Sequence, residues 1–233
     1  SLCKNTTASG ITAIGYRALL NNTTATANTA VGGQALDANT TGPYNTAIGK
    51  SALSTNTTAA GNSALGYTAL FLNTTGAYNT AIGYEAMFDN TTGGCNTAVG
   101  MCSLVNNLTG ANNVAVGQTA LFANTTGNGH AAIGASALQK NTTGAGNTAV
   151  GRCALDSNTT GNNNTAQGVS SGTANTDGDG NTFIGHLSGN NLTTGCYNSY
   201  VGAETSASAV GVLFEQVFGR GGTGKGSGTF FCW

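Results

Sequence analysis

A few short stretches of this chain carry residue types that do chemistry in other proteins. GRGGTGKGS, Gly219 to Ser227, nearly spells a phosphate-binding loop, in which backbone N–H groups and a Lys cradle phosphate oxygens. The residue after Lys225 is Gly226, where a Ser or Thr should hold magnesium, and no strand-then-helix frame surrounds it. The stretch therefore reads as a flexible Gly-rich connector. NTDGDGN sets Asn175, Asp177 and Asp179 at alternating positions before Gly180, as at the start of a calcium loop, where oxygens converge on one hard cation. His186 stands where the bidentate Glu is expected, so a solvated corner is the default and calcium a weak candidate. His130 and His186 have no Cys, Asp or second His beside them at metal-ligand spacing. Nothing in the spacing proposes a nucleophile with its base. The expectation is a non-enzyme without a metal or cofactor.

The cysteines are Cys3, Cys95, Cys102, Cys153, Cys196 and Cys232, an even count that fits an oxidising compartment. Cys95 with Cys102, close in sequence, and Cys3 with Cys232, at opposite ends, are the two candidate disulfides. Unpaired thiols in a particle assembled in the cytosol are the alternative. N-T-T is an N-glycosylation acceptor and recurs at Asn22, Asn39, Asn56, Asn73, Asn90, Asn124, Asn141 and Asn158. In a secreted eukaryotic protein these would carry a ladder of glycans along one edge. In a bacterial or phage protein they are corner chemistry only.

Composition narrows the function classes. Of 233 residues only 6% are charged, with Lys+Arg 7 against Asp+Glu 8. Phosphate recognition needs clustered cations, so the charge balance speaks against nucleic acid as a partner. No run of about 18 apolar residues is present to insert in a membrane. The chain starts at Ser1 rather than Met, which reads as a processed or partial chain.

What must position these residues is a repeat. Taking the first Asn of each N-T-T as position 1, repeats start at Asn5, Asn22, Asn39 and so on every 17 residues to Asn175, then at Leu192. No insertion breaks the spacing, the mark of a solenoid in which every residue has a structural place. Position 11 is Gly in every repeat, from Gly15 to Gly202, as expected of a corner with positive φ or no room for a Cβ. Position 10 is a branched aliphatic except at Gln167, and N-T-A-I-G reads as a short strand with that bulky residue turned inward. Position 15 is Leu or Met from Leu19 to Leu155, on either a second short strand or one tight helical turn. The expected interior is thus one aliphatic from each of two walls. Asn at positions 1 and 7 fits corners and stacked amide ladders. The expected layout is a lead over residues 1–4, a β-solenoid of about twelve turns over 5–202, and a non-repetitive cap and tail over 203–233. Stacked at about 4.8 Å per turn, twelve turns would make a rod on the order of 58 Å long.

Two aliphatics per turn make a thin core, and side-by-side association would help it. Leu20, Phe71, Phe88, Val105 and Phe122 at position 16 follow the Leu column and, on a strand, would face outward as a seam between chains. A local bend tucking them inward is the alternative. In the later repeats Gly172 and Gly189 empty the Leu column while Phe183 and Tyr200 replace Ala, so bulk moves between walls. Tyr16, Tyr67, Tyr84, Phe230, Phe231 and Trp233 are the candidate contact aromatics.

NTAIGYEAMF…NTTG and NTAVGGQALDANTTG resemble the repeats of bacteriophage tail fibres, and the N-T-A-I-G core is similar to the head repeats of trimeric autotransporter adhesins. The resemblance spans Asn5 to about Gly202. It implies a left-handed parallel β-roll, three chains side by side, and a role in surface attachment through a glycan or protein receptor, outside the cell or on a virion. The adhesin repeat is shorter than 17 residues, which leaves the shape of the turn open. A self-polymerising extracellular filament and an ice-binding solenoid displaying Thr29, Thr46 and Thr80 are the other readings.

Overall fold

The computed structural model describes residues 2–232. Two compact units are present, Ser1–Asn113 and Val114–Trp233. Both are all-β parallel solenoids. The first holds β1 (Thr12–Ile14), β2 (Thr29–Val31), β3 (Thr46–Ile48), β4 (Ser63–Leu65), β5 (Thr80–Ile82) and β6 (Thr97–Val99). The second holds β7 (Val114–Val116), β8 (Ala131–Ile133), β9 (Thr148–Val150), β10 (Thr165–Gln167), β11 (Thr182–Ile184), β12 (Ser199–Val201), β13 (Gln216–Phe218) and β14 (Phe230–Cys232). Within each unit neighbours pair in parallel and in register, as Thr46↔Ser63, Ala47↔Ala64 and Ile48↔Leu65. Repeat position therefore becomes a row along the stack, and every row stacks its own residue type.

The strand face runs opposite to expectation. Ala81 is fully buried while Ile82 keeps 38% of its surface exposed, and in the other strands too the middle residue is more buried than the one after it. Neighbouring strand residues point to opposite sides. The inward place goes to Ala because the interior is filled from the other wall, by Ala86 and Met87, Ala52 and Leu53, and their equivalents. From Leu19 to Leu155 the interior thus holds one large side chain per turn, not two.

That other wall is neither strand nor helix. Gly83, Glu85 and Met87 have φ of +138°, +53° and +54°, and the same alternation recurs in the other repeats. Ala86 N–H donates to Gly83 O within the turn, while Glu85 N–H reaches back to Tyr67 O and Met87 N–H forward to Ser103 O. Positive φ costs a bulky residue about 1–2 kcal/mol. Here the stacked hydrogen bonds and the buried side chain hold it in place.

Two Asn ladders complete the interior, and their members have essentially no exposed surface. In the first, Asn56 Nδ2 donates to Asn39 Oδ1 at 3.0 Å, Asn73 to Asn56 at 2.9 Å and Asn90 to Asn73 at 2.8 Å. Each also donates to the carbonyl three residues on, as Asn73 to Gly76 O at 2.9 Å. In the second, Asn79 N–H donates to Asn62 Oδ1 at 2.9 Å, and Asn79 Nδ2 to Gly93 O at 2.8 Å. Buried amides are satisfied only while turns stay in phase.

His130 occupies a rung of the second ladder. Its Nδ1 accepts Asn147 N–H at 3.2 Å, and Nε2 lies 2.7 Å from Gly144 O, so the neutral Nε2–H tautomer fits. Burial pushes its pKa below 6.5, against smaller opposing effects of these two contacts. A folded pKa below the unfolded one gives stability that is complete above about pH 6.5 and drains away as pH falls towards the folded value. The urea midpoint should therefore fall between about pH 7.5 and 5.5 in the parent, and His130→Asn should remove most of that slope.

From β11 the walls exchange bulk, as the sequence implied. Phe183 and Tyr200 are buried and stacked, with ring centroids 5.9 Å apart. A Cβ on Gly172 or Gly189 would lie 2.6 or 2.3 Å from the Phe183 ring. The solenoid also outlasts the ruler. Pairing of Ser199 with Gln216 continues the 17-residue step, and pairing of Gln216 with Phe230 closes a shorter, 14-residue one. Residues 203–232 thus add two strands, where a non-repetitive cap was expected.

Candidate interaction surface

Since Ala takes the inside, the aliphatic row goes outside. In the first unit Ile14, Ile48, Leu65 and Ile82 are exposed, with Val31 and Val99 half-buried between them. In the second unit Ile133, Val150 and Ile184 are exposed, the polar Gln167 interrupts the row, and Phe218, in register with Cys232, lies beside Phe230 with centroids 5.4 Å apart. The small Thr or Ser at position 8 shares this face, as at Thr46, Ser63 and Thr80. Beyond the Gly corner, Tyr67 and Tyr84 stack at 5.4 Å, with Lys50 Nζ 5.8 Å from the Tyr67 centroid. The result in the first unit is an apolar, nearly uncharged strip that repeats at every turn. Soluble proteins seldom leave so continuous a strip uncovered.

No protein-family model, curated protein or solved structure matches the chain.

The position-16 residues are less available than the strand face. Val105 is buried, and Leu20, Phe71, Phe88 and Phe122 are half-buried; Phe71 and Phe88 stack with centroids 5.1 Å apart. Tyr16, Tyr67 and Tyr84 are exposed, but Tyr67 and Tyr84 cover each other's faces and offer edges and hydroxyls. Phe230 is exposed and Phe231 half-buried, while Trp233 lies outside the described residues. Sequence reasoning passed over an exposed corner at position 6, where Tyr44, Tyr78, Tyr197 and Phe214 have positive φ. The tyrosines were visible there, but a left-handed backbone under a bulky ring has no reliable sequence signal.

Asn22, Asn39, Asn56, Asn73, Asn90, Asn124, Asn141 and Asn158 are all fully buried. Their amides are used in the buried ladder, so the folded turn has no place for a glycan there, which corrects the glycan-ladder reading. Asn175 is likewise a ladder member, donating to Asn158 Oδ1 at 2.9 Å. Asp177 accepts from Thr176 Oγ1, and Asp179 accepts from Asn162 N–H at 2.6 Å. The three candidate calcium ligands are thus engaged with different partners, and no group of three or more His, Cys, Asp or Glu suited to a metal occurs among the described residues.

Neither Cys95–Cys102 nor Cys3–Cys232 forms a disulfide. The Cys102 thiol lies 4.0 Å from Glu85 Oε2, and burial with that carboxylate pushes its pKa up. It is therefore a poor thiolate nucleophile. The near-phosphate loop is an ordered turn. Gly224 N–H donates to Ser206 O, Gly226 N–H to Glu215 Oε1, and Lys225 Nζ sits 5.0 Å over Phe231. The amides of Gly221, Gly224 and Gly226 are committed within the chain, so the stretch is neither a flexible connector nor an open cradle for phosphate.

Proposed function

We propose that this chain is a non-enzymatic structural module for surface attachment or fibre building, and that copies associate side by side through the strand face. The observation that carries this reading is the outward row of Ile48, Leu65 and Ile82, an apolar strip with little charge to oppose contact with an identical strip. The half-buried position-16 residues are a secondary contact at most. Each repeat contributes the same outward residue, so pairing along one face gains apolar burial at every turn. A trimer or a larger fibre, outside the cell or on a virion, fits the resemblance read from the repeats. The edges and hydroxyls of Tyr67 and Tyr84, with Tyr16 and the tail aromatics, are the groups offered to a glycan or protein receptor.

Light scattering of the intact protein at tens of micromolar tests the association. The parent should exceed the 22.9 kDa of one chain. Ile48→Lys with Ile82→Lys should weaken association by about 100-fold or more, since about 1.4 kcal/mol corresponds to each tenfold. The far-UV spectrum should not change, because both side chains already face outward. A parent mass of one chain, or a variant that associates like the parent, would overturn the reading.

A further inference from the structure

Glu215 stands at position 7, where nearly every earlier turn has Asn, and it is fully buried. Its N–H continues the ladder by donating to Asn198 Oδ1 at 2.8 Å. Its carboxylate does what an amide could not. Oε2 accepts the Tyr200 hydroxyl at 2.8 Å and Ser208 N–H at 3.0 Å, and Oε1 accepts Gly226 N–H at 2.8 Å. Gly226 belongs to the shortened final turn, which presents a donor here. An ionised carboxylate accepts at both oxygens and fits three donors. Gly224 leaves the room, since a Cβ there would overlap the Glu215 carboxyl carbon.

Apolar burial in the final turn is slight. Phe230 is exposed and Phe231 half-buried, with Val217 beneath as the fully buried apolar residue. Backbone bonds tie it down, among them Gln216 N–H to Thr229 O at 2.8 Å and Gly228 N–H to Leu213 O at 2.9 Å. The groups facing the carboxylate are the Tyr200 phenol, the Ser208 hydroxyl and the amides of Ser208 and Gly226. Lys225 leans over Phe231, and Arg220 pairs at 3.9 Å with the exposed Glu204.

We propose that residues 219–232 are an acid-released cap: protonation of Glu215 detaches the final turn and bares the outer edge of β13. A proton on either oxygen sets an O–H against a backbone N–H, at the half-buried Gly226 or at Ser208, and breaks that hydrogen bond. Burial raises the carboxyl's pKa, but its donors outweigh this and hold it below 4.5. A folded pKa below the released one means the lock is complete above about pH 4.5 and is lost as pH falls through the locked value.

Amide exchange of the full chain, read by NMR and corrected for intrinsic rates, tests this. At about pH 7, Glu215→Gln imitates the protonated acid and should lower protection at Gln216, Gly224, Gly226 and Gly228 by about 100-fold, while Asn62 and Asn79 keep theirs. The parent should do the same as pH falls below about 4.5 and through the locked value, and Tyr200→Phe, with one donor fewer, should release at higher pH. If Glu215→Gln unfolds the ladder amides too, the parent's titration decides alone. Parent protection at those four amides that persists in acid until the ladder itself opens would overturn the proposal.

Discussion

Adding one methyl group at Gly83 is expected to destabilise the first unit more than removing most of a bulky side chain next to it. Gly83 has a φ of +138°, and a Cβ there would lie 2.5 Å from Gly100 O and 2.7 Å from Gly100 C. Those atoms are backbone of the next turn, and they are fixed by its own stacking. Gly83→Ala must therefore strain its own backbone and also push two turns apart, which interrupts every row passing through them. The cost should be about 3 kcal/mol or more. Ile82→Ala removes an outward side chain and should cost the isolated chain less than about 1 kcal/mol. Paired urea melts of the two variants measure the contrast. A Gly83→Ala protein as stable as the parent would mean that the turns do not stack as closely as described.

The second large effect is expected from Asn73→Asp, a change of one group with no change of shape. Asn73 Nδ2 donates to Asn56 Oδ1 and to Gly76 O, both at 2.9 Å, and its Oδ1 accepts from Asn90 at 2.8 Å. Asp at this place sets a carboxylate oxygen against two acceptors and keeps one donor. A buried charge without partners costs about 3–5 kcal/mol once one side of such a network is lost. The group escapes part of this by staying protonated, which raises its folded pKa above the unfolded value of about 3.9. The linkage then has the reverse sign from His130. Stability is fullest below the unfolded pKa and is lost as pH rises through the folded one. The variant's deficit against the parent should be several kcal/mol at about pH 7 and markedly smaller at about pH 4. Denaturant melts at the two pH values suffice, and an equal deficit at both would show that Asn73 is not held as described.

Much of this fold could be read from residue columns. The unbroken Gly at position 11 implied a corner with positive φ or no room for a Cβ, and Gly83 has both. The two Asn columns implied stacked amides, and both ladders are present. The exchange of Leu for Gly and Ala for Phe implied that positions 9 and 15 face each other across the interior, and Phe183 against Gly189 is that contact. This last clue also contradicted the inward aliphatic. If Phe183 points in, its neighbour Ile184 must point out. Hydrophobicity argued the other way and carried the expectation, and with it the site was placed on the position-16 seam.

The sequence alone determined the period, the in-register parallel stacking and the identity of each row, because a 17-residue repeat without insertions can satisfy its buried amides only when like meets like. The tertiary structure alone decided which of two adjacent strand residues is inside. Alternation says that neighbours oppose each other, and it is silent on which one faces the core. That choice depends on the path of the whole turn, set by left-handed residues such as Glu85 and Met87, whose conformation comes from bonds to the turns above and below.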